Sequence, residues 1–103
     1  MSPRIPIDSQ RIADFCRKWR ISRLELFGSV VRDDFRADSD VDVLISFEPE
    51  DLWDLFDLVA MKEELEGIFG RPVDLLTRRA VEASRNPHRR DAILSSATPL
   101  YAA

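Results

Sequence analysis

Three aspartates in this sequence have the spacing expected of ligands for a divalent cation. Asp40 and Asp42 open an apolar run that continues to Phe47, so in an extended strand both side chains point to the same side. Asp74 lies one residue into a second short apolar run, and it faces the same way if the two strands are neighbours. Packed carboxylates repel each other unless a cation lies between them. The aspartates therefore predict an oxygen-rich Mg²⁺ site at one sheet end, with room for two ions about 4 Å apart.

A glycine, a serine and an arginine upstream of these acids could bind phosphate. Gly28 ends an earlier apolar run, and without a Cβ atom it lets the backbone approach an anion closely. Ser29 offers a hydroxyl and, at the start of a helical turn, backbone N–H groups. Arg32, three residues on, can reach a phosphate oxygen from the same side. Together with two magnesium ions, these residues predict a site for an anionic triphosphate.

Each of these features is weak by itself. Most Asp-x-Asp pairs are solvated turn residues, a Gly-Ser pair after a strand is a common turn, and Asp74 alone could be a charge at a strand edge. Their combination and their implied shared face carry the prediction. The nearby acids Asp33, Asp34 and Asp38 fall in a turn and a loop, so we interpret them as solvated charges.

Length and composition indicate one soluble globular domain spanning residues 1–103, with 45% hydrophobic and 33% charged residues. No apolar run approaches the roughly 20 residues that a membrane helix needs, and the N-terminus lacks a signal-peptide core. No membrane association is therefore expected. The single Cys16 cannot form an internal disulfide and lies in a helical pattern, which favours a buried thiol and a cytoplasmic protein.

The net charge of −4 is unevenly distributed along the chain. Residues 1–70 contain 9 Lys/Arg and 16 Asp/Glu, whereas residues 71–103 contain 6 Lys/Arg and 3 Asp/Glu. An acidic body argues against binding of a nucleic-acid duplex and favours divalent cations. The basic C-terminal third is either a solvated helix surface or a contact for phosphate or an acidic partner.

Helices and strands alternate in the predicted order, which indicates an α+β fold with a small mixed sheet flanked by helices. The longest helix has a broad apolar surface that includes Leu55, Phe56, Val59 and Leu65. The predicted helices are 8–20, 51–69, 79–84 and 87–96, with a helical turn at 29–34, and the strands are 22–27, 41–47 and 73–77, with a possible edge strand at 99–101.

The run from Phe27 to Arg32, followed by the run from Ser39 to Leu44, resembles the signature of the polymerase-beta-like nucleotidyltransferase superfamily. It looks like the minimal nucleotidyltransferase (MNT) domain antitoxins in particular, and the resemblance extends through residues 70–77 and 86–101. It implies a palm-like mixed sheet. It further implies that Asp40, Asp42 and Asp74 are catalytic acids that bind metal, and that Ser29 contacts the triphosphate. One departure is Asp33, where many relatives have glycine, which suggests a less tight turn.

The resemblance also implies an activity and a partner. MNT antitoxins of this kind transfer AMP from ATP to a tyrosine of a HEPN-domain toxin, in a type VII-like toxin–antitoxin pair, and a hetero-oligomer with the toxin is then possible. Asp74 is the acid expected nearest the attacking hydroxyl. Two alternatives stay open at this point. The chain could be an antitoxin that acts by binding alone with a vestigial site, or a nucleotidyltransferase with a small-molecule acceptor.

Overall fold

The computed structural model describes residues 7–28, 40–47 and 53–102. Within them, a four-stranded sheet of order β3-β2-β1-β4 is flanked by helices. Strand β2 is antiparallel to β1 and parallel to β3, and β4 is antiparallel to β1. The predicted α+β class with a mixed sheet is confirmed. The elements are α1 (Ser9–Lys18), β1 (Ile21–Phe27), β2 (Val41–Phe47), α2 (Leu55–Phe69), β3 (Val73–Thr77), α3 (Arg78–Glu82), α4 (Pro87–Ser96) and β4 (Thr98–Ala102).

Side chains that cap exposed backbone N–H groups fix where the helices begin. The Asp8 carboxylate accepts from the Arg11 N–H at 3.1 Å, just before α1. Helix α2 begins at Leu55 rather than at residue 51, because Asp54 and Asp57 cap each other's backbone in a capping box. The predicted turn at 29–34 and the first two residues of the predicted helix 51–69 lie outside the described residues.

The back face of the sheet, which carries Leu24, Leu26 and Val43, packs against α1 and α2. Burial here is nearly complete, and Cys16 of α1 is fully enclosed. Burial raises the pKa of the Cys16 thiol to about 12, only partly opposed by neighbouring Arg17, so the thiol stays protonated at neutral pH. The prediction of a buried Cys16 is confirmed, and the back face contains the larger core.

The front face of the sheet is covered by α3 and α4 and has a smaller core. Phe27 and Leu44 of the sheet pack there against Val81 of α3 and Ile93 of α4. Both helices are short, and each is capped by one side chain. The Thr77 hydroxyl accepts from the Ala80 N–H and the Asn86 side chain accepts from the Arg89 N–H. The front face therefore leaves part of the sheet surface available for polar residues.

One sequence prediction about α2 is wrong. Leu55, Phe56 and Val59 do not join the core, and these residues are 72%, 83% and 49% exposed. Each helical residue turns by about 100°, so these positions lie on a different side of α2 from Met61 and Leu65, which are fully buried. A single helix cannot turn both sets to the sheet.

Among the described residues, no helix has the length and apolar character required to cross a membrane.

Candidate active site

Asp42 and Asp74 lie side by side on the front face of the sheet. The parallel pairing of β2 with β3 sets Asp42 directly beside Asp74 and, one residue earlier, Val41 beside Val73. Both valines are buried on the back face, so both aspartates point to the front. Paired residues on neighbouring strands lie about 5 Å apart. The two predicted strands are thus neighbours, as the sequence argument required.

A backbone hydrogen bond helps to fix this pairing at the sheet end. The Val41 N–H donates to the Pro72 carbonyl over 2.9 Å, just before the paired aspartates. Asp42 is half-buried, whereas Asp74 stands on the edge strand and is exposed. The site therefore combines one carboxylate held within the sheet with one that solvent or a substrate reaches freely.

Gly28 lies directly against the carboxylate of Asp42. It follows Phe27, which pairs with Asp42 across β1 and β2, and its φ of +71° is in the left-handed region that favours glycine. A Cβ atom at this position would stand 2.2 Å from Oδ2 of Asp42. The sequence predicted close approach of the Gly28 backbone to a phosphate. The structure shows a close approach to the aspartate, so this glycine leaves the space that the Asp42 carboxylate occupies.

The remaining predicted site residues are less completely placed. Asp40 immediately precedes β2 and is exposed. Ser29 and Arg32 lie outside the described residues, so their predicted phosphate contacts stay predictions. Within the ranges 7–28, 40–47 and 53–102, no three His, Cys, Asp or Glu side chains are grouped closely enough to hold a metal ion.

The donor chemistry nevertheless fits magnesium. Asp42 and Asp74 are adjacent oxygen donors at a sheet end, and Asp40 lies two residues before Asp42. Magnesium takes a few carboxylates and completes its octahedron with water and phosphate oxygens, so it needs no closed cage of protein ligands. Two neighbouring carboxylates also carry a repulsion that a divalent cation would relieve. Asp42 and Asp74 are the adjacent pair that could hold it, and the part of Asp40 as a third ligand stays a prediction.

A buried glutamate on the front face is a feature that sequence reasoning missed. Glu25 is only 3% exposed, and its Oε1 accepts from Nη1 of Arg78 at 3.1 Å and lies 3.2 Å from Nε of Arg23. An acid in the middle of an apolar strand was a signal, but its partner Arg78 lies far along the chain. Arg78 also pairs with Glu82 at 3.4 Å, so this arginine of the basic C-terminal third is held by carboxylates.

Comparison with known proteins assigns the chain to a family. Residues 9–99 match the model of the nucleotidyltransferase domain, and the chain belongs to this family. It is 34% identical over 88 residues to MJ0435 of Methanocaldococcus jannaschii, which is named as a candidate protein adenylyltransferase. That alignment covers 85% of this chain and 88% of the relative. The protein is thus a nucleotidyltransferase of the minimal, MNT-like kind, as the resemblance implied.

Solved structures of toxin–antitoxin complexes share the fold. A chain from a toxin–antitoxin crystal structure with AMP-PNP superposes with a TM-score of 0.72 at 18% identity, covering 94% of this chain and 75% of that one. A complex described as a tri-AMPylated Shewanella oneidensis HEPN toxin with an MNT antitoxin gives 0.63 at 18% identity, covering 92% and 70%. At this identity, the likeness establishes the shared fold.

Proposed function

We propose that this chain is a Mg²⁺-dependent protein adenylyltransferase and the antitoxin of a type VII-like pair, which transfers AMP from ATP to a tyrosine of a HEPN-domain toxin. One observation carries the proposal: the in-register pairing of Asp42 with Asp74 at the sheet end, with Gly28 against Asp42. Two acids that were only solvated surface charges would not be expected to pair in register on one face of the sheet. The family membership and the AMP-modified toxin in a structural relative agree with it.

The transfer requires attack by the acceptor oxygen, removal of its proton and orientation of the nucleotide, and different residues of the site serve the last two tasks. The tyrosine oxygen attacks the α-phosphorus of ATP, the bond from that phosphorus to the bridging oxygen breaks, and pyrophosphate leaves. The tyrosine proton must go to a base. Exposed Asp74, on the edge strand, is the acid that an incoming protein can approach, so we assign the proton to its carboxylate. Half-buried Asp42, fixed between two strands, orients the nucleotide end of the site.

Magnesium, when bound, would neutralise the phosphate charge and activate the attacking oxygen. Asp40, Asp42 and Asp74 would hold it. Gly28 leaves room for the Asp42 carboxylate to keep its position in the site, because any Cβ would stand where that carboxylate lies. Ser29 and Arg32 are assigned to the triphosphate on the sequence argument alone. We assign a protein acceptor because the similar MJ0435 is named as a candidate protein adenylyltransferase.

The direct test measures the mass of the toxin. A HEPN-domain toxin proposed as the partner is incubated with the protein, ATP and Mg²⁺, and intact-mass spectrometry follows additions of one or more AMP groups. Asp42→Asn should abolish the addition. Asp14→Asn is the matched control, because Asp14 is an exposed carboxylate that pairs with Arg17 at 2.9 Å. It lies on α1, which packs on the back face of the sheet, away from Asp42.

Two outcomes would contradict the proposal. If the Asp42→Asn variant still neutralises the toxin and no mass is added by the wild type, the chain acts by binding alone. If AMP is transferred to a small molecule and not to the toxin, the acceptor is wrong while the nucleotidyl transfer stands. Omitting Mg²⁺ and adding a chelator should stop the addition, which separates metal dependence from nucleotide dependence.

A further inference from the structure

A cavity of about 230 Å³ lies between α3 and α4, on the same face of the sheet as the paired aspartates. Its walls are aliphatic: Leu76 from β3, Ala80 and Val81 from α3, and Ile93 from α4. Ser84, between the two helices, and Arg89 and Arg90 of α4 complete its lining. Because Leu76, Val81 and Ile93 belong to or pack on the front core, strand and helix residues form most of the cavity wall.

The strand β3 joins this cavity to the candidate active site. Leu76 lies two residues after Asp74, so both side chains point to the front face, about 7 Å apart along the strand. Both sit on the edge strand of the sheet. A ligand whose charged end lies at Asp42 and Asp74 therefore has an apolar cavity next to it, reached without crossing the sheet.

The size and lining of the cavity suit one part of a nucleotide. Pockets that enclose whole drug-sized ligands measure roughly 300–1,000 Å³, so this cavity is large enough only for a ring-sized group. Aliphatic walls pack well against the faces of a planar heteroaromatic ring. Arginine guanidinium groups stack on such rings and also bind phosphate oxygens. Half-buried Arg90 and exposed Arg89, at one side of the cavity, could stack on a ring or bind a phosphate oxygen.

We infer that the cavity between α3 and α4 binds the nucleobase of the ATP substrate, while the triphosphate lies at the aspartate pair. The inference rests on the proposed function, since it places the uncharged end of that same substrate. It gives the basic C-terminal third of the chain a role in substrate binding. It also gives a reason for two short helices that contribute little to the core.

The other large groove does not compete for this role. It measures about 480 Å³ and lies between α1 and α2, with Phe15 and Ile68 beneath a charged rim. These helices cover the back face, so the sheet separates that groove from Asp42 and Asp74. A nucleotide bound there could not present its phosphates to the aspartates.

Filling the cavity from an exposed position tests the inference without touching the core. Ala80 lines the cavity but is exposed, so Ala80→Trp can place an indole in the base position. Ala92→Trp is the matched control, because Ala92 is also an exposed helical alanine and does not line the cavity. Isothermal titration with Mg²⁺ measures two ligands, ATP and inorganic tripolyphosphate, which lacks the base.

The expected result is selective. Ala80→Trp weakens ATP binding by about tenfold or more, because the base loses its apolar contacts, and leaves tripolyphosphate binding unchanged. Ala92→Trp changes neither. If Ala80→Trp folds poorly by circular dichroism, Ala80→Leu replaces it, with a smaller loss for ATP alone.

Three outcomes would overturn the inference. Wild-type ATP affinity in Ala80→Trp would show that the base lies elsewhere, and the proposed function would stand. An equal loss for ATP and tripolyphosphate would show that the substitution does not act on the base. Failure of the wild type to bind either ligand would refute the proposed function itself, and this inference with it.

Discussion

The two faces of the sheet carry different kinds of side chain. Of the described residues, thirteen buried apolar residues form the core on the back face, against four on the front face. The front face instead carries Asp42 and Asp74 in register and the buried, ion-paired Glu25. The helices follow the same division, since α1 and α2 bury apolar surface on the back, while α3 and α4 enclose a cavity on the front.

This difference suggests how a small domain separates stability from chemistry. Burial of apolar area supplies most of the stability, so the back face, with the larger core, provides the greater part of it. Adjacent carboxylates cost stability, and a short sheet tolerates them only where solvent or a cation reaches them. We therefore expect substitutions on the front face to change activity and those on the back face to change stability. Each variant described next tests one side of that division.

The largest effect is expected for Asp74→Asn. Removing the carboxylate assigned to the tyrosine proton should lower AMP transfer by about 10²–10⁴-fold. Stability should stay the same or rise slightly, because Asp42 loses a neighbouring like charge. Initial rates of toxin modification and urea unfolding measure the two quantities. Asp14→Asn, at an exposed acid on α1, is the control, and equal rates for Asp74→Asn and wild type would remove Asp74 from the chemistry.

On the back face, Leu65→Ala should act in the opposite way. Leu65 is fully buried, so the truncation should lower the free energy of unfolding by about 2–5 kcal/mol. Leu55→Ala, on the same helix but at a residue 72% exposed, should change it by less than about 0.5 kcal/mol. Urea unfolding measures both. Transfer activity per folded molecule should be that of the wild type in each variant, and a loss of activity in folded Leu65→Ala would break the division.

Strand periodicity was enough to predict much of this arrangement. Alternation along 41–47 put Asp42 and Val43 on opposite faces, and the short apolar run at 73–77 put Asp74 with Asp42 once the strands proved to be neighbours. Capping residues such as Asp8 and Asn86 act within three residues of themselves, so helix starts depend on local sequence. Local patterns therefore predicted the elements and the shared face of the two acids.

Contacts between distant segments could not be predicted in the same way. The sequence shows that Glu25 lies in an apolar strand, but only the packing of α3 on the sheet brings Arg78 to it. The apolar residues of α2 suggested a single broad surface, yet Phe56 and Leu65 lie on different sides of the helix, and the sheet buries only one side. The cavity between α3 and α4 depends on the relative position of two helices, which no local pattern encodes.

Gly28→Ala tests whether the glycine serves the site rather than the fold. The added Cβ would meet Asp42 Oδ2 at 2.2 Å, so the carboxylate must move, and transfer should fall by about 10²-fold. The left-handed backbone adds a stability cost of about 1–2 kcal/mol. Gly67→Ala is the control, because a Cβ added to this residue of α2 would meet nothing within 4 Å. It should stabilise the protein by roughly 0.5–1 kcal/mol and leave activity unchanged.

Comparison of the two alanine variants by toxin modification and thermal unfolding separates the roles of the two glycines. If Gly28→Ala loses stability but keeps full activity, the contact with Asp42 has no part in the chemistry. If Gly67→Ala lowers activity, the back face influences the site, and the division between the faces fails.

The smallest effect is expected at Glu64, which joins α1 to α2. Burial alone would raise its pKa, but hydrogen bonds from Lys18 and Trp19, with the Lys18 charge, outweigh burial and lower the pKa below the ordinary value of 4.5. A lowered pKa means that the charged carboxylate stabilises the fold above pH 4.5, and that this contribution is lost as the pH falls through the lower folded-state pKa. Glu64→Gln should therefore cost less than about 1 kcal/mol at pH 7.

The pH dependence of that small difference is its sharpest test. Glutamine does not titrate, so the gap in unfolding free energy between wild type and Glu64→Gln should close as the pH falls below 4.5, the ordinary value for this carboxyl. Glu63→Gln, at the neighbouring exposed glutamate, is the control substitution. If the difference in unfolding free energy stays constant down to low pH, the packing of the Glu64 side chain, and not its charge, stabilises the contact between α1 and α2. Since both helices lie on the back face, neither variant should alter AMP transfer at pH 7.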